Sequence, residues 1–496
     1  MLKRQRVTWM QTSASRTTRV CVPVCEKNFS AFVSACERAV ELADIVELRL
    51  DCIDPHDLSR AVSHVTNFPR PIILTFRPAE EGGYRALSRE ERRQFWTTQA
   101  LRGEDVWWDV ETDLVADVSP DWSRTIVSHH DFSGVPDLGL IYDQLAQTPA
   151  RVVKIAVQAN DIVDCIPVFR LVDRAIREGR EIIAIAMGNA GIATRILGPS
   201  RGAFLTYGSL DEDSATAPGQ VNAHALRSLY NIDAIDDETM ICGLVGLPVM
   251  HSVSPHIHNA AFAREGVNGV YLPFEVIDIH SFIKRMVHPL TTEVNWKLRG
   301  LSITAPHKQT VMQHLDWIEP EAMEIGAVNT VVVEKDRLLG YNTDAAGFIA
   351  PLLKSIGSLR DKQVAIIGAG GAARAAVWAL KRQGAKVTLF VRDVSKSKVA
   401  CEPLTSASFS GYDLVVNATP VAPATREQLQ GARWVYDLVY NPVETEFLRE
   451  AREAGCATLG GLEMLVAQAK IQFELWTGKT PSTSIMYDAA AAALGQ

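Results

Sequence analysis

The sequence contains no run of about 20 uninterrupted apolar residues, the length that a membrane-spanning helix needs. It also lacks an excess of positive charge, because 58 acidic residues outweigh 50 basic ones and give a formal net charge of -8. These two absences argue against a membrane protein and against nucleic acid as the main partner. The net charge does not argue against small anionic substrates, because their binding depends on local Arg and Lys residues.

The eight cysteines include no C-x-x-C pair, and no His or Cys cluster accompanies them. Such scattered cysteines are typical of reduced thiols in a cytoplasmic protein, so we predict neither a disulfide framework nor a metal site. The first nineteen residues, MLKRQRVTWMQTSASRTTR, are basic and lack the apolar stretch of a secretory signal. We interpret residues 1–19 as a basic tail; a short organelle transit peptide is the alternative.

Between residue 20 and about residue 230, short runs rich in Val and Ile alternate with amphipathic, charged segments. The runs are VCVPVC (20–25), IVELRLD (45–51), IILTFR (72–77), VWWDVE (106–111), TIVSHH (125–130), RVVKIAV (151–157), EIIAIAM (181–187) and AFLTYG (203–208). Alternation of this kind indicates βα units and a parallel sheet. Eight units in this length predict a (β/α)8 TIM barrel over residues 20–230.

Charged and imidazole side chains lie in or just after these apolar runs. They are Glu47, Arg49, Arg77, His129, His130, Lys154 and Arg195. In a barrel they would converge on the C-terminal rim, where active sites of this fold lie. Glu47 and Arg49 are two residues apart and therefore point to the same face of their strand. The same alternation turns only one of His129 and His130 inward, and the spacing does not say which.

Lys154 is flanked by Val and Ile in RVVKIAV, so its amine should be desolvated. Desolvation lowers the pKa of a lysine and makes it a nucleophile, whose natural product with a ketone or aldehyde is a Schiff base. The alternative for Lys154 is a buried ion pair with Glu47 or Glu81.

Several strings of the first half resemble the motifs of type I dehydroquinate dehydratases, in that family's order. They are ELRLD, TFR followed by EGG (81–83), SHHDF (128–132), VVKIAV, AMGNAG with Arg195, and APGQ (217–220). The resemblance implies that Lys154 forms an iminium with the ketone of 3-dehydroquinate. It implies that His130 serves as base and then as acid, held and tuned by Glu81.

The same resemblance implies two groups of substrate-binding residues. Glu47, Arg49 and Arg77 would hold the ring hydroxyls, and Arg195 and Gln220 would grip the carboxylate. The sequence departs from the family at His129, where Tyr is usual, and at Thr216, where Ser is usual. Since Thr216 keeps a hydroxyl, we expect it to serve as a binding residue and the departure to touch carboxylate affinity rather than chemistry.

A polar, acidic segment, NIDAIDDETM (231–240), precedes a new strand, ICGLVG. We place a linker at 231–239, a substrate lobe at 240–345, a Rossmann lobe at 346–460 and C-terminal helices that pack back on the substrate lobe at 461–496. The Rossmann prediction rests on KQVAIIGAGGAARAAVWALKRQGAKVTLFVRD (362–393), which is ordered strand, Gly-rich turn, helix, strand. Gly368, Gly370 and Ala373 match G-x-G-x-x-A, which brings backbone N–H groups close to a pyrophosphate.

The preference for NADP(H) over NAD(H) is read at the end of the second strand of this unit. Arg392 and Lys396 could cradle a 2′-phosphate, whereas Asp393 is the kind of residue that binds free ribose hydroxyls. We predict NADP(H).

The second half, from residue 241 onward, resembles the shikimate dehydrogenases. The strings that carry the resemblance are GLPVMHSVSPHIHN (246–259), GLSITAPHK (300–308), AVNT (327–330), GYNTDAAG (340–347), NATP (417–420), DLVYNP (437–442) and GGLEMLVAQAK…FELWTG (460–478). The resemblance implies Lys308 and Asp344 as the catalytic pair for reduction of 3-dehydroshikimate to shikimate. It implies substrate contacts from Ser252, Ser254, Thr304, Asn329, Tyr440 and Gln468, and cofactor contacts from Gly368, Ala369, Gly370, Gly371, Ala372, Asn417 and Gly461.

Both halves together predict a bifunctional enzyme with small-molecule substrates, because the product of the first reaction is the substrate of the second. One rival is an aldolase-like Schiff-base barrel fused to another hydroxy-acid dehydrogenase. It predicts a phosphate-binding Gly turn after strands seven and eight, and GPSRGA (198–203) fits poorly. The other rival is a ligand-sensing regulator that has lost the chemistry, yet Lys154, His130, Lys308 and Asp344 are all present.

Overall fold

The computed structural model describes residues 18–211, 214–396 and 400–495. Within these ranges the strands form three sheets of eight, six and six strands. Nearly all of the predicted basic tail lies outside the described residues. Across the described ranges no helix is both long and apolar enough to cross a membrane.

The first sheet is parallel, and each of its strands overlaps one of the eight runs predicted as strands. The strands are β1 (Val20–Val24), β2 (Ile45–Arg49), β3 (Ile72–Thr75), β4 (Val106–Glu111), β5 (Thr125–Asp131), β6 (Val152–Gln158), β7 (Glu181–Met187) and β8 (Thr206–Tyr207). Strands that follow each other from β1 to β7 are neighbours, and β8 pairs with β1. The predicted barrel is therefore confirmed as a nearly closed eight-stranded sheet.

The helices that follow the strands are α1 (Phe29–Leu42), α2 (Leu58–His64), α3 (Arg89–Thr98), α4 (Leu138–Ala146), α5 (Cys165–Arg177), α6 (Ile192–Leu197) and α7 (Ala223–Ser228). The connection from β4 to β5 departs from the regular pattern, because it carries two 3-10 turns, Thr112–Leu114 and Trp122–Arg124, in place of an α-helix. Only thirteen residues separate these strands, and Pro120 interrupts them.

One part of the cysteine prediction is wrong. Cys25, just after β1, and Cys52, just after β2, form a disulfide with their Cα atoms 5.3 Å apart. Parallel pairing of β1 with β2 brings the loops after both strands to the same rim, although the two cysteines are 27 positions apart in sequence. The other six cysteines are free thiols.

The predicted linker is anchored rather than extended. It contains a 3-10 turn at Ile232–Ala234, and Asp236 accepts hydrogen bonds from the Thr239 hydroxyl at 2.9 Å and from the Asn268 amide at 2.9 Å. These bonds fix its end to the loop before a strand of the next sheet.

The second sheet is mixed and has the order β10-β9-β11-β13-β14-β12. Its elements are β9 (Met240–Gly246), α8 (Ser254–Arg264), β10 (Gly269–Glu275), α9 (Ile279–Phe282), β11 (Leu298–Ile303), β12 (Trp317–Ile318), α10 (Pro320–Ile325), β13 (Thr330–Glu334) and β14 (Arg337–Tyr341). Helix α11 (Asp344–Ile356) then leads to the third sheet.

The third sheet is fully parallel, in the order β17-β16-β15-β18-β19-β20. Its elements are β15 (Gln363–Ile367), α12 (Gly371–Arg382), β16 (Lys386–Val391), β17 (Glu402–Pro403), β18 (Leu414–Asn417), α13 (Arg426–Leu429), β19 (Trp434–Asp437), α14 (Glu446–Glu453) and β20 (Ala457–Leu459). Counted from β15, this is the strand order 3-2-1-4-5-6 of a Rossmann fold, whose cofactor site lies beside the first strand.

Two last helices, α15 (Gly461–Thr477) and α16 (Thr483–Ala493), lie against the second sheet. Phe473 and Trp476 of α15 and Met486 of α16 share one hydrophobic cluster with Ile257 of α8 and Tyr271 of β10. The lobe around the second sheet, which the sequence predicted as a substrate lobe, is thus built from two segments of chain that the Rossmann sheet separates.

Candidate active sites

The nine residues that the dehydratase resemblance singles out line one cavity at the C-terminal ends of the barrel strands. They are Glu47, Arg49, Arg77, Glu81, His130, Lys154, Arg195, Thr216 and Gln220. The cavity also has Phe132, Met187 and Tyr207 in its wall.

Lys154 lies at the floor of this cavity and is 4% exposed. Its Nζ donates to Asp109 Oδ2 at 2.7 Å and to the Tyr207 hydroxyl at 3.0 Å, while Glu47 Oε1 is 3.7 Å away. The ion-pair alternative named Glu47 or Glu81 as the partner, but the nearest carboxylate is Asp109. The Lys154 amine is therefore buried away from water, and its orientation is fixed by the hydrogen bonds to Asp109 and Tyr207.

Asp109 and Arg77 form the electrostatic centre of the site. Arg77 Nη2 donates to Asp109 Oδ2 at 2.7 Å, and its Nε lies 3.4 Å from Glu111 Oε1. Burial alone would raise the pKa of Asp109, but Arg77 and Lys154 lower it below its usual range. Glu111 behaves in the opposite way, since burial raises its pKa to about 7 against the pull of Arg77.

The side chain of His130 turns into the cavity and has partners on both ring nitrogens. Its Nε2 lies 2.9 Å from Arg77 Nη1, and its Nδ1 lies 3.1 Å from Glu81 Oε2, which also accepts the His130 backbone N–H. A guanidinium only donates, so Nε2 accepts and Nδ1 carries the proton. Burial, followed by Arg77 and Lys154, lowers the pKa of His130 well below its ordinary value, which keeps a neutral base.

Two further sets of side chains frame the cavity. Glu47 accepts from the Thr75 hydroxyl at 2.8 Å, and Arg49 makes a two-pronged pair with Asp51 at 2.9 and 2.8 Å. At the opposite wall, Gln220 Oε1 accepts the Thr216 N–H at 2.8 Å.

Arg195 belongs to this second wall and is 1% exposed. It donates to the Pro218 carbonyl at 3.2 Å, and among the described residues its Nε is buried without a hydrogen-bond partner. Burial lowers its pKa to about 10. A buried guanidinium with unused donors is suited to an anionic ligand group.

In the second half, Lys308 and Asp344 form a direct pair, with Lys308 Nζ 2.5 Å from Asp344 Oδ2. Asp344 is the first residue of α11, and its other oxygen accepts from Asn329 Nδ2 at 2.8 Å. The Asn329 oxygen in turn accepts the Thr343 N–H at 2.8 Å. Gln468 Oε1 of α15 lies 3.4 Å from the Thr343 hydroxyl.

The predicted carboxylate-binding serines lie at the start of α8. Ser252 Oγ donates to Ser254 Oγ at 3.0 Å, and the Ser254 N–H donates back to Ser252 Oγ at 3.2 Å. Burial raises the pKa of Tyr440, and a hydrogen bond with Ser252 opposes that rise. Thr304 follows β11, and its N–H donates to Val245 O at 2.8 Å.

A buried chain of hydrogen bonds beneath these groups was not predicted. Tyr271 donates to Ser302 at 2.7 Å, Ser302 donates to Gln472 at 2.8 Å, and Gln472 donates to Thr330 at 3.0 Å. Thr330 then donates to Asn329 Oδ1 at 2.8 Å. The only sequence signal was the spacing of Gln472, four residues after Gln468 on the same helix face.

The Gly-rich loop fits a pyrophosphate on geometric grounds. Gly368 has φ +117°, a backbone conformation that favours glycine, and a Cβ there would meet Ala418 O at 3.0 Å. Around Gly370 the space is open, and Gly371 begins α12, whose first N–H groups have no partner within the helix. Ala369 is exposed and Ala372 is half-buried. A Cβ on Gly371 would lie 3.2 Å from Lys308 Cδ, so the loop adjoins the Lys308–Asp344 pair.

The other predicted cofactor residues differ in what they offer. Arg392 is exposed directly after β16, whereas the side chain of Lys396 lies outside the described part of the chain. Asn417 is fully buried, with its amide donating to Val421 O and Asp437 Oδ1 and its oxygen accepting from Thr419. Gly461 opens α15, where a Cβ would meet Leu438 O at 2.5 Å.

Comparison with known proteins gives family matches in both halves. The type I 3-dehydroquinase family matches residues 20–237, and the shikimate dehydrogenase substrate binding domain matches residues 244–331. The shikimate 5'-dehydrogenase C-terminal domain matches residues 461–491.

Several relatives match over most of the chain or over its second half. The chloroplastic bifunctional 3-dehydroquinate dehydratase/shikimate dehydrogenase of Arabidopsis thaliana is 34% identical over 92% of this chain and 82% of its own length. The shikimate biosynthesis protein AroDE of Chlamydia pneumoniae is 28% identical over 92% of this chain and 95% of its own. The NADP(+) shikimate dehydrogenase of Caldanaerobacter subterraneus is 38% identical over 51% of this chain and 97% of its own. The chain therefore belongs to the family of bifunctional 3-dehydroquinate dehydratase/shikimate dehydrogenases.

Proposed function

We propose that this chain converts 3-dehydroquinate to 3-dehydroshikimate in the barrel and then reduces 3-dehydroshikimate to shikimate with NADPH in its second half. The observation that carries the proposal is that a buried Lys154, oriented by Asp109, and a neutral His130 line the same cavity. The family relatives and the Lys308–Asp344 pair beside a Gly-rich loop support the second reaction.

In the first reaction, the Lys154 amine adds to the substrate ketone and the carbonyl oxygen leaves as water, which gives an iminium. The iminium acidifies the neighbouring C–H bond, and His130 Nε2 takes that proton. The electron pair of the C–H bond forms the ring double bond as the tertiary hydroxyl leaves. His130 returns the proton to this hydroxyl, and water hydrolyses the iminium to release product and amine.

The remaining side chains of the cavity bind and orient the substrate. Arg195, Thr216 and Gln220 form the wall that suits its carboxylate, because Arg195 has unused donors. Glu47, Arg49 and Arg77 face the ring hydroxyls. Arg77 is also the group on His130 Nε2, so substrate must displace this contact before the proton transfer. Glu81 keeps the proton of the imidazole on Nδ1.

The residues of the Gly-rich loop, Gly368, Ala369, Gly370, Gly371 and Ala372, are suited to hold the pyrophosphate of NADP(H) at the start of α12. Arg392 and Lys396 would contact its 2′-phosphate. Gly461 allows the close approach of α15 to the loop after β19, and Asn417 shapes the loop after β18. The cofactor, when bound, supplies the hydride for the reduction.

For the reduction itself, Lys308 donates a proton to the oxygen that develops charge at the substrate carbonyl, and Asp344 holds Lys308 in place. Ser252 and Ser254 bind the substrate carboxylate with two hydroxyls. Thr304, Asn329, Tyr440 and Gln468 surround the ring, of which Asn329 also fixes Asp344.

A coupled assay tests both reactions in order. Purified protein with 3-dehydroquinate should form an enone that absorbs in the ultraviolet, and added NADPH should then be oxidised. Lys154→Ala should form no enone from 3-dehydroquinate but should still oxidise NADPH when 3-dehydroshikimate is supplied. Asp344→Asn should form the enone normally and lose about a hundredfold or more of the NADPH oxidation, so that each half is the control for the other. Borohydride added with 3-dehydroquinate should attach the substrate to Lys154.

The outcome also decides between this proposal and its rivals. An aldolase-like barrel would trap a carbonyl substrate on Lys154 without forming the enone. A regulator would bind the substrates and give neither signal. Enone formation without NADPH oxidation would leave only the dehydratase half of the proposal standing.

The partners that we propose are small molecules: 3-dehydroquinate, 3-dehydroshikimate, shikimate and NADP(H), without nucleic acid or membrane. The cytoplasm is the compartment that we propose. The chloroplastic name of the Arabidopsis relative supports the alternative of organelle import. Fusion of residues 1–19 to a fluorescent protein separates the two, because only a transit peptide would direct the reporter into an organelle.

A further inference from the structure

The barrel and the substrate lobe are joined by a carboxylate next to the strand that carries Lys154. Asp161 follows β6 by three residues and is 9% exposed. Its Oδ2 accepts two backbone N–H groups of the substrate lobe, from Ile277 at 2.7 Å and from Asp278 at 3.1 Å. Its Oδ1 accepts the N–H of Val163 within the barrel at 3.0 Å.

The segment bound by Asp161 is linked to Lys308, the proposed catalytic lysine of the second reaction, through His307. Val276, fully buried, precedes Ile277, and its carbonyl accepts from His307 Nε2 at 2.7 Å. His307 is 4% exposed and is the chain neighbour of Lys308. The imidazole therefore joins the residue next to Lys308 to a segment that has two supports: Asp161 of the barrel, and Gly246 of β9, whose carbonyl accepts the Val276 N–H at 3.1 Å.

We propose that Asp161 and His307 are positioning residues for the dehydrogenase reaction, and that the barrel thereby helps to set the position of Lys308. This inference rests on the proposed function. Hydrogen bonds to an ionised carboxylate are stronger than those between neutral groups, so Asp161 is the firmest of these contacts. A catalytic group displaced by a fraction of an ångström loses rate rather than substrate affinity.

Most of the proposed substrate contacts lie elsewhere, which separates positioning from binding. Thr304 is the nearest of them, and its carbonyl accepts the His307 backbone N–H at 2.9 Å, a bond that a side-chain substitution of His307 keeps. Ser252, Ser254 and Gln468 make no hydrogen bond to residues 276–278 among those of the described chain. Loosening residues 276–278 should therefore lower kcat for reduction of 3-dehydroshikimate and leave its KM nearly unchanged. The Lys154 side chain has its own partners in Asp109 and Tyr207, so dehydratase activity should stay near that of the wild type.

The test is a double-mutant cycle on the full-length chain, with kcat and KM measured for both reactions. We expect Asp161→Ala and His307→Ala each to lower kcat for reduction about tenfold. Because both residues act through Val276–Ile277, the double variant should be no slower than the slower single variant. Asp161→Asn and His307→Gln keep an acceptor oxygen and a donor nitrogen, respectively, and should recover most of the loss.

Arg170→Ala is the matched control, since Arg170 forms a 3.0 Å ion pair across the same interface with Glu293 and, within the described chain, shares no hydrogen bond or ion pair with residues 276–278. It should leave both reactions unchanged. Wild-type kcat in Asp161→Ala, or multiplied losses in the double variant, would overturn the inference. An equal loss in Arg170→Ala would also overturn it, because any weakening of the interface would then suffice. A wild-type chain that cannot reduce 3-dehydroshikimate would overturn the proposed function and this inference with it.

Discussion

Lys154 Nζ and Asp109 Oδ2 lie 2.7 Å apart in the barrel, and both side chains are buried. The same carboxylate oxygen accepts from Arg77, so one negative charge orients the nucleophile and the cation that contacts His130. Asp109 also supports the basicity of His130, because its charge raises the pKa that burial and the two cations lower.

Asp109→Asn should therefore lower dehydratase kcat about a hundredfold, since it frees Lys154 and Arg77 and weakens His130 as a base. The measurement is the rate of enone formation, with shikimate dehydrogenation by the same preparation as the internal control. Asp113→Asn removes a half-exposed carboxylate near the same rim and should have little effect. Near wild-type activity in Asp109→Asn would contradict this role.

The pH dependence of the dehydratase follows from His130. Its pKa lies well below 6.5, first because of burial and then because of Arg77 and Lys154. The neutral base therefore persists as pH falls, and we expect the acid limb of kcat/KM to lie below pH 6.5. His129→Gln should leave this limb in place, and an acid limb above pH 6.5 would contradict the expectation.

The same shift has a consequence for stability. The unfolded chain protonates this imidazole near pH 6.5, whereas the folded chain does so only at lower pH. The unfolded state thus binds more protons in that interval, so the free energy of unfolding should decrease as pH falls below 6.5. Denaturant unfolding of wild type and His130→Gln at several pH values checks this, because the difference in their free energies of unfolding should change with pH below 6.5 and stay constant above it.

Cofactor preference should depend on Arg392, which is exposed at the end of β16. Arg392→Ala should raise the KM for NADPH about tenfold and leave the KM for NADH unchanged, because only NADPH carries the 2′-phosphate. The matched control is Arg382→Ala on α12, whose guanidinium lies 4.9 Å from the centre of the Trp378 ring. Equal losses with both cofactors would place Arg392 away from the phosphate.

The Cys25–Cys52 disulfide closes a loop of 27 residues in the barrel. Chain-entropy arguments assign such a cross-link about 3.5 kcal/mol of stability. Reduction should lower the free energy of unfolding of the barrel by up to that amount, whereas a Cys25→Ser, Cys52→Ser variant should not respond to reductant. Equal stability with and without reductant would contradict the expectation.

The eight barrel strands were predictable because each is an apolar run bounded by polar segments, and the Rossmann unit because its glycines stand between a strand and a helix. The absence of a helix between β4 and β5 was not predictable, because the thirteen connecting residues are too few to show a clear apolar periodicity. Asp109 was overlooked although it lies within the apolar run VWWDVE, as Lys154 does in its own. A charge within an apolar strand needs a partner, and this holds for Asp109 as much as for Lys154.

The partners of side chains were less predictable than their positions. Arg77 was expected to face substrate hydroxyls, yet it is bound to Asp109 and His130, a contact that needs three strands in register. The disulfide and the Tyr271–Ser302–Gln472 hydrogen bonds join residues far apart in sequence. Residue spacing predicts only local contacts, so it could not predict these. Asn417 was predicted to contact the cofactor. Its side chain instead makes hydrogen bonds to Asp437 and to the Thr419 N–H, within and beside the loop after β18.

The split construction of the substrate lobe orders the appearance of the two activities during translation. Every element of the barrel is encoded before residue 230, so the dehydratase cavity can close while the ribosome still holds the second half. The second half includes α15, which packs against the second sheet and emerges only after the entire Rossmann sheet has been made. A nascent chain therefore acquires the first reaction of the pair well before the second, in the order in which the substrate meets them.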